Sequence, residues 1–170
     1  WKIVLIFISI LDIYMKINLI FFLSEFVIGG VGNSIFKLCK NLLKKKYNIV
    51  IISLNRCYYK KELVKCGISV YEVKSSKTIF AMPKIKKIVE KLIDNKNKNI
   101  FLSNIYYSNV LSILFLRSLN MKLILIERTP FQELSIYYNF IDFIKKNIIK
   151  FLIKQTYFKA DICISNSKYI

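Results

Sequence analysis

The chain has 170 residues, of which 55% are hydrophobic. This is enough to bury the core of one domain, and it excludes an intrinsically disordered chain. Lys and Arg number 28 against 10 Asp and Glu, for a formal net charge of +18. Such a charge suits nucleic acid or an anionic membrane surface as a partner. The abundant Lys, Ile, Asn, Phe and Tyr are also the residues of A/T-rich codons, so an A/T-rich genome explains the charge equally well.

An apolar stretch over residues 1–30 is interrupted by Asp12 and Lys16. Either charge would cost about 2.5–3.5 kcal/mol at the centre of a membrane-spanning helix, and the pieces on either side are too short to cross a bilayer. The stretch also lacks the small-residue cleavage site of a secretory signal. We therefore expect no membrane span here. We expect Met15 to be the natural start, with residues 1–14 as an upstream-translated or appended segment.

The chain contains no histidine, and its cysteines show no C-x-x-C pair. A zinc site would need all the thiols to converge, which their wide spacing does not favour. The sequence therefore predicts no metal site, and it predicts reduced thiols in a cytoplasmic protein. The cysteines are Cys39, Cys57, Cys66 and Cys163.

From residue 17 onward, apolar runs of strand length alternate with longer segments of helical periodicity. In chain order the pattern predicts a strand at 17–23, a helix at 33–46, a strand at 47–54, a helix at 59–65, a strand at 68–73, a helix at 78–95, a strand at 99–103, a helix at 106–119, a strand at 122–127, a helix at 138–159 and a strand at 160–165. The strands are apolar on both faces, as in a parallel sheet covered by helices on both sides. We therefore predict a doubly wound, mostly parallel Rossmann-like α/β domain. Ligands of such sheets bind at the carboxyl ends of the strands.

A glycine-rich segment, "SEFVIGGVG", follows the first strand. It is not a complete dinucleotide-binding fingerprint, because Ile35 stands where the third glycine belongs and the second strand ends without an acidic residue. It is not a P-loop either, because no Gly-Lys-Ser/Thr follows. Its backbone N–H groups, at the start of a helix, suit an anionic or sugar-phosphate ligand, and an ordinary tight turn is the alternative. The predicted ligand-binding residues are Gly29, Gly30, Val31, Gly32 and Asn33.

Five segments in chain order resemble one family. The segment "MKINLIFFLSEFVIGGVGNSIFKLCKNLLKKKYNIVIISL" resembles the start of GT-B-fold glycosyltransferases of the family-4 type. "GISVYEVKSSKTIFAMPKIKKIVEK" is similar to the family's third strand, its Ser–Arg/Lys–Thr turn and the next helix. "NIFLSNIYYSNVLSILFLR" and "LILIERTP" resemble the fourth and fifth strands, and "YFKADICISNSKYI" resembles the strand that ends the first domain. The similarity spans residues 15–170.

The resemblance implies two Rossmann-like domains with the active site in the cleft between them. The N-terminal domain mainly holds the acceptor and offers its glycine loop to the donor phosphates, and the second domain binds most of the nucleotide-sugar. We expect this chain to be the N-terminal domain, truncated before the donor-binding domain and inactive alone. The implied reaction is a retaining, hexosyltransferase-like transfer from a nucleotide-diphospho-sugar, with no other cofactor. The implied acceptor is a glycan or a lipid-linked molecule in cell-surface polysaccharide or lipopolysaccharide biosynthesis.

The resemblance also assigns residues after the later strands. Gly29, Gly30 and Gly32 match the family's glycine loop. Arg128, which follows Glu127 at a strand end, would meet the diphosphate leaving group or an acceptor phosphate, and the alternative is a surface salt bridge with Glu127 or Glu133. Asn104 stands where many relatives have a histidine near the transferred sugar. No catalytic residue is assigned.

The helix predicted at 138–159 is rich in lysine and apolar residues. Apolar bulk flanked by lysines suits an anionic membrane surface, here the inner face of the plasma membrane. The alternative is that the apolar side packs on the sheet while the lysines face water. The chain's other lysines are scattered and no nucleic-acid-binding motif is present, so we expect no nucleic-acid partner, although a non-catalytic basic module for nucleic acid or membrane is the rival function. The membrane-facing candidates are Lys145, Lys146, Lys150 and Lys154.

Overall fold

The computed structural model of the chain describes residues 17–43, 47–128 and 130–165. Six strands form one sheet in the order β3-β2-β1-β4-β5-β6, and every neighbouring pair is parallel. The predicted doubly wound α/β class is therefore confirmed. The predicted extra segment, residues 1–14, lies outside the described residues. The strands are β1 (Ile17–Leu23), β2 (Asn48–Ser53), β3 (Ser69–Glu72), β4 (Lys98–Asn104), β5 (Lys122–Glu127) and β6 (Ile162–Ser165).

The helices follow the strands in the predicted order. The described α-helices are α1 (Gly30–Leu43), α2 (Lys60–Lys65), α3 (Thr78–Leu92), α4 (Tyr106–Leu116) and α5 (Phe140–Thr156), with 3-10 turns at Phe131–Ser135 and Tyr157–Lys159. Helix α1 begins earlier than the predicted start at Asn33, because the glycine segment itself forms the first helical turn. Helix α5 begins after Asn139, whose side chain accepts a hydrogen bond from the Asp142 N–H at 2.8 Å and caps the helix.

Two hydrophobic cores lie on opposite faces of the sheet. All of β1 is buried, and because side chains alternate along a strand, its residues serve both cores. Leu19 and Phe21 pack with α1 and α2, whereas Ile20 and Phe22 pack with α3 and α4. This arrangement explains why the strands are apolar at every position.

The sheet has a topological switch point between β1 and β4, where the chain winds outward in both directions. Asn104, at the end of β4, donates from Nδ2 to the Phe22 carbonyl of β1 at 3.2 Å. The next residue, Ile105, has a φ of 74° and donates its N–H to the Ile126 carbonyl of β5 at 3.0 Å. A β-branched residue is strained in that left-handed conformation. The carboxyl ends of β1, β4 and β5 are thus tied together beside the crevice where doubly wound sheets bind ligands.

Candidate functional site

The segment between β1 and α1 is anchored at the carboxyl edge of the sheet. Phe26 is fully buried, forms an isolated parallel bridge with Cys57, and accepts a hydrogen bond from the Tyr58 N–H at 3.0 Å. The Gly29 carbonyl accepts the first bond of α1, from the Asn33 N–H at 2.9 Å. The preceding N–H groups have no intrahelical acceptor, as in the first turn of any α-helix. The first turn also contains no acidic residue, so it favours a negatively charged ligand.

The glycines of this segment have different structural roles. A Cβ atom on Gly32 would lie 2.1 Å from the Val27 carbonyl oxygen, so this position requires glycine for close packing of the backbone. Cβ atoms on Gly29 and Gly30 would have nothing within 4 Å. The backbone surface that is open to a ligand therefore lies at Gly29 and Gly30 rather than at Gly32. The side chain of Asn33 accepts a hydrogen bond from the Tyr59 hydroxyl.

Asn104 and Arg128 are brought together at the ends of neighbouring strands β4 and β5. The Arg128 Nε donates to Asn104 Oδ1 at 3.1 Å. Asn104 is 1% exposed, so its amide positions Arg128 and the end of β1 from within the protein. Arg128 is half-buried, and desolvation lowers the pKa of its guanidinium to about 10. The guanidinium nevertheless stays protonated at neutral pH.

Glu127 belongs to a buried polar cluster. Its Oε1 accepts hydrogen bonds from Asn109 Nδ2 at 2.7 Å and from the Tyr157 hydroxyl. Burial raises the pKa of the Glu127 carboxyl, and the hydrogen bonds from Tyr157 and Asn109 only partly oppose that shift. Asn109, on α4, thereby reaches across to β5. The contacts of Glu127 fix the packing of α4 and Tyr157 on β5.

A central cavity of about 650 Å³ lies over the carboxyl ends of the strands. It contains two of the lysines predicted to face a membrane, Lys145 and Lys146. Lys146 pairs with Asp142 at 2.9 Å and donates to the Ile136 carbonyl at 2.6 Å, so its ammonium is directed back toward its own domain. Sequence reasoning missed most of the lining, which includes Ser24, Glu25, Lys77, Tyr106, Tyr107 and Asp142.

The other two lysines of α5 line a second, apolar pocket with Phe131 and Phe151. Lys150 donates to the Ser135 hydroxyl and the Tyr137 hydroxyl, both at 3.0 Å, and Lys154 is exposed. Only Ile149 and Thr156 of α5 are buried. The alternative expectation, that the apolar side of this helix packs on the sheet, is therefore wrong for most of its residues.

Apolar side chains of α5 and its flanking segments instead cover an exposed surface, which we call the α5 apolar surface. It consists of Tyr138, Phe140, Ile141, Phe143, Ile144, Ile148, Phe151 and Phe158. No helix within residues 17–43, 47–128 and 130–165 has the length and apolar character of a membrane span.

Metal-ligating side chains do not cluster in the part of the chain that the structure describes. Cys39 and Cys57 are buried free thiols, and burial raises the pKa of Cys39 to about 12 and that of Cys57 to about 11. Both thiols are therefore protonated at neutral pH and are poor nucleophiles.

The sheet order, the two helical layers and the crevice define a doubly wound, Rossmann-like α/β protein. Solved structures with this fold include two proteins that act on sugars by name. A glycosyltransferase from Rickettsia africae ESF-5 superposes with a TM-score of 0.53 at 24% identity, over 89% of this chain and 43% of that one. A sucrose-phosphate synthase from Thermosynechococcus elongatus superposes with a TM-score of 0.53 at 7% identity, over 90% of this chain and 47% of that one.

These similarities confirm the Rossmann-like fold of GT-B proteins that the sequence resemblance implied. At such identities the similarity is one of fold. The chain spans less than half the length of either protein. No protein-family model and no curated protein sequence matches the chain.

Proposed function

We propose that this chain is the acceptor-side domain of a GT-B glycosyltransferase. The enzyme transfers a hexose, with retention, from a nucleotide-diphospho-sugar to a glycan or lipid-linked acceptor in the biosynthesis of cell-surface polysaccharide or lipopolysaccharide. A second Rossmann-like domain, outside this chain, holds most of the donor. We expect the chain alone to be inactive in that case, because it forms only one of the two sides of the cleft.

The observation that carries this proposal is the open first turn of α1 at the carboxyl edge of the sheet. The N–H groups of Gly30 and Val31 lack intrahelical acceptors, and no atom from another part of the chain stands within 4 Å of the Cβ positions of Gly29 and Gly30. This turn follows β1, one of the two strands that flank the switch point. A diphosphate bound there would accept backbone hydrogen bonds and interact favourably with the helix dipole.

Arg128 is the cation that would stabilise the negative charge of the departing diphosphate. Its guanidinium remains protonated despite its partial burial, and the bond to Asn104 restricts its orientation. Transfer of this kind depends on placing the acceptor and stabilising the leaving group rather than on a dedicated nucleophile. Asn104 acts on Arg128 as a positioning residue.

The α5 apolar surface supports a location for this activity at an anionic membrane. Phe140 and Phe151 are 75% and 61% exposed, and the exposed Lys145 and Lys154 lie on the same helix. Aromatic side chains flanked by lysines suit the interface of an anionic bilayer. An enzyme held there would meet a lipid-linked acceptor.

Selective ¹⁵N labelling of glycine tests the proposal, because the whole chain has only four glycines. We expect uridine diphosphate or guanosine diphosphate to shift the amide signals of Gly29 and Gly30. Gly67 serves as an internal reference, because it lies just before β3 at the opposite edge of the sheet.

The proposal fails if neither nucleotide moves the Gly29 and Gly30 signals, or if Gly67 shifts as much as they do. It also fails if NAD shifts them at lower concentration than either diphosphate, since that result would indicate a dinucleotide site despite the incomplete fingerprint. Assignment is direct, because Gly29→Ala and Gly30→Ala, at positions with open space, and Gly67→Asn, whose residue type tolerates a positive φ, each remove one signal.

A further inference from the structure

A basic cavity lies at the carboxyl ends of β2 and β3, apart from the residues that the proposed function uses. Its volume is about 810 Å³. Two loops line it, one after β2 and one after β3, and they meet because these strands are parallel neighbours in the sheet. The charged residues of its lining are Arg56, Lys60, Lys61, Glu72 and Lys74.

Among the described residues of the lining, Glu72 is the one carboxylate, and Lys60 neutralises its charge. Glu72 accepts from Lys60 Nζ and from the Cys57 N–H, both at 2.8 Å. These bonds, that of Lys60 first, hold the pKa of Glu72 below its ordinary value. With Lys60 and Glu72 paired, the charges of Arg56, Lys61 and Lys74 make the cavity positive.

Lys74 has a backbone conformation that its residue type does not favour. Its φ is 57°, in the left-handed region where glycine is the residue without strain. The neighbouring N–H groups of Val73 and Ser75 donate to the carbonyls of Ser53 and Leu54 at 2.9 and 3.3 Å, which fixes the segment on both sides. A residue held in a strained conformation at the edge of a cavity is a candidate for function.

The basic cavity adjoins the central cavity, since Asn55 and Ser76 line both. A ligand that occupied the two would extend from the crevice at the switch point to the cations after β2 and β3. Arginine and lysine side chains are the usual partners of phosphate. A neutral sugar would gain little from them.

We propose that the basic cavity binds the phosphate group of a phosphorylated acceptor. This inference rests on the proposed function, because it assigns the acceptor class of the same enzyme. The reacting end of the acceptor lies in the central cavity, and its phosphate lies between Arg56, Lys61 and Lys74. The phosphate belongs either to a sugar phosphate or to a lipid phosphate.

Calorimetric titration of the full chain tests this assignment. The probes are glucose 1-phosphate as a sugar phosphate, dihexanoyl phosphatidic acid as a lipid phosphate and methyl glucoside as a neutral control. We expect one of the phosphates to bind and methyl glucoside not to bind, and the tighter phosphate identifies the source. Lys74→Gly should weaken that binding about tenfold or more through loss of a charged hydrogen bond.

Lys74→Gly also distinguishes a loss of phosphate binding from a loss of folding stability. Glycine adopts the left-handed conformation freely, so the variant should melt at the same or a higher temperature than the wild type. Lys61→Gln is a second variant with the same expected loss of binding. Lys87→Gln is the matched control, because Lys87 is exposed on α3 and its substitution removes the same charge.

The inference is overturned if Lys74→Gly and Lys61→Gln bind both phosphates as the wild type does. It is also overturned if Lys87→Gln loses as much affinity, which would indicate a general effect of net charge, or if methyl glucoside binds equally well. Nucleotide shifts at Gly29 and Gly30 without phosphate binding would leave the proposed function intact and remove this assignment. Phosphate binding without those shifts would remove the proposed function, and with it the acceptor role, and would leave only a phosphate-binding site in the basic cavity.

Discussion

At the level of single residues, Glu127 shows how burial raises the pKa of a carboxyl group. It is 4% exposed, and its pKa is raised above the ordinary value of 4.5. Glu127 Oε2 and Asn109 Oδ1 have no hydrogen-bond partner, although the other polar atoms of these two groups bond to each other. A proton on Oε2 would leave in place the hydrogen bonds that Oε1 accepts. The nearby titratable groups are Tyr106, Tyr157 and Cys163.

Glu127→Gln should therefore change how stability depends on pH. Because the folded-state pKa is raised, the contribution of Glu127 to stability is complete below its unfolded-state value and is lost as pH rises through the folded-state value. A glutamine supplies an uncharged N–H in place of that proton at every pH. We expect the free energy of unfolding of the variant, relative to the wild type, to increase from acidic toward alkaline pH, measured by urea unfolding.

The exposed Glu133, replaced by Gln, is the control for that experiment. Its variant should follow the wild type across the same pH range. A difference between Glu127→Gln and the wild type that stayed constant with pH would contradict a raised pKa in the folded state. Reduced stability of Glu127→Gln at all pH values would indicate that the carboxylate itself is required.

Sequence reasoning at this scale found residue types at strand ends but not their contacts. It placed Asn104 and Arg128 at the ends of two successive predicted strands, and the structure shows that these strands are neighbours and joins the two residues through a bond of 3.1 Å. It did not separate Gly32, which packs against Val27, from Gly29 and Gly30, which face open space. The left-handed Lys74 has no signal in the sequence, because lysine is not a residue that usually marks this conformation.

At the scale of elements, α5 differs from the other long helices. Helices α1, α3 and α4 bury a face on the sheet, whereas α5 packs mainly beside α4 and leaves large aromatic side chains exposed. Hydrophobic periodicity predicted the helix, but it could not identify what covers its apolar residues. The same pattern describes a helix packed on a sheet and a helix at an interface.

If α5 meets an anionic bilayer, replacing Phe140 and Phe151 by Ser should reduce vesicle binding. A fully buried phenylalanine contributes about 1.5–3 kcal/mol, so the double variant should lose about tenfold or more in affinity even for partial insertion. The measurement is sedimentation of the full chain with phosphatidylglycerol vesicles, and binding to phosphatidylcholine vesicles should be weaker because the lysines lose their anionic partner.

Phe80→Ser is the matched control, because Phe80 is 71% exposed on α3, outside the α5 apolar surface. Its variant should bind vesicles as the wild type does. Equal losses for both sets of substitutions would show that membrane contact does not depend on α5. Equal binding of the Phe140/Phe151 variant and the wild type would contradict the proposed orientation.

At the scale of the whole molecule, the parallel sheet brings the candidate sites to one edge. The residues after β1, β2, β3, β4 and β5 are far apart in sequence, yet each lies at the carboxyl edge because every strand runs in the same direction. The alternation of strands and helices predicted this edge, and sheet order 3-2-1-4-5-6 places the crevice between β1 and β4. The cavities themselves depend on side-chain packing at the loops, which periodicity does not encode.

The same topology leads to a prediction about activity. In the proposed function the active site has two sides, and the edge described here would supply one, with the first turn of α1 and Arg128 at the phosphates of a donor held mainly by the other side. We therefore expect the 170-residue chain to bind nucleoside diphosphates weakly and to release none from a panel of nucleotide-sugars. Turnover is measured as nucleoside diphosphate released with and without acceptor. The variant Arg128→Gln provides the baseline, and release by the wild-type chain above that baseline would show that this single domain contains a complete active site.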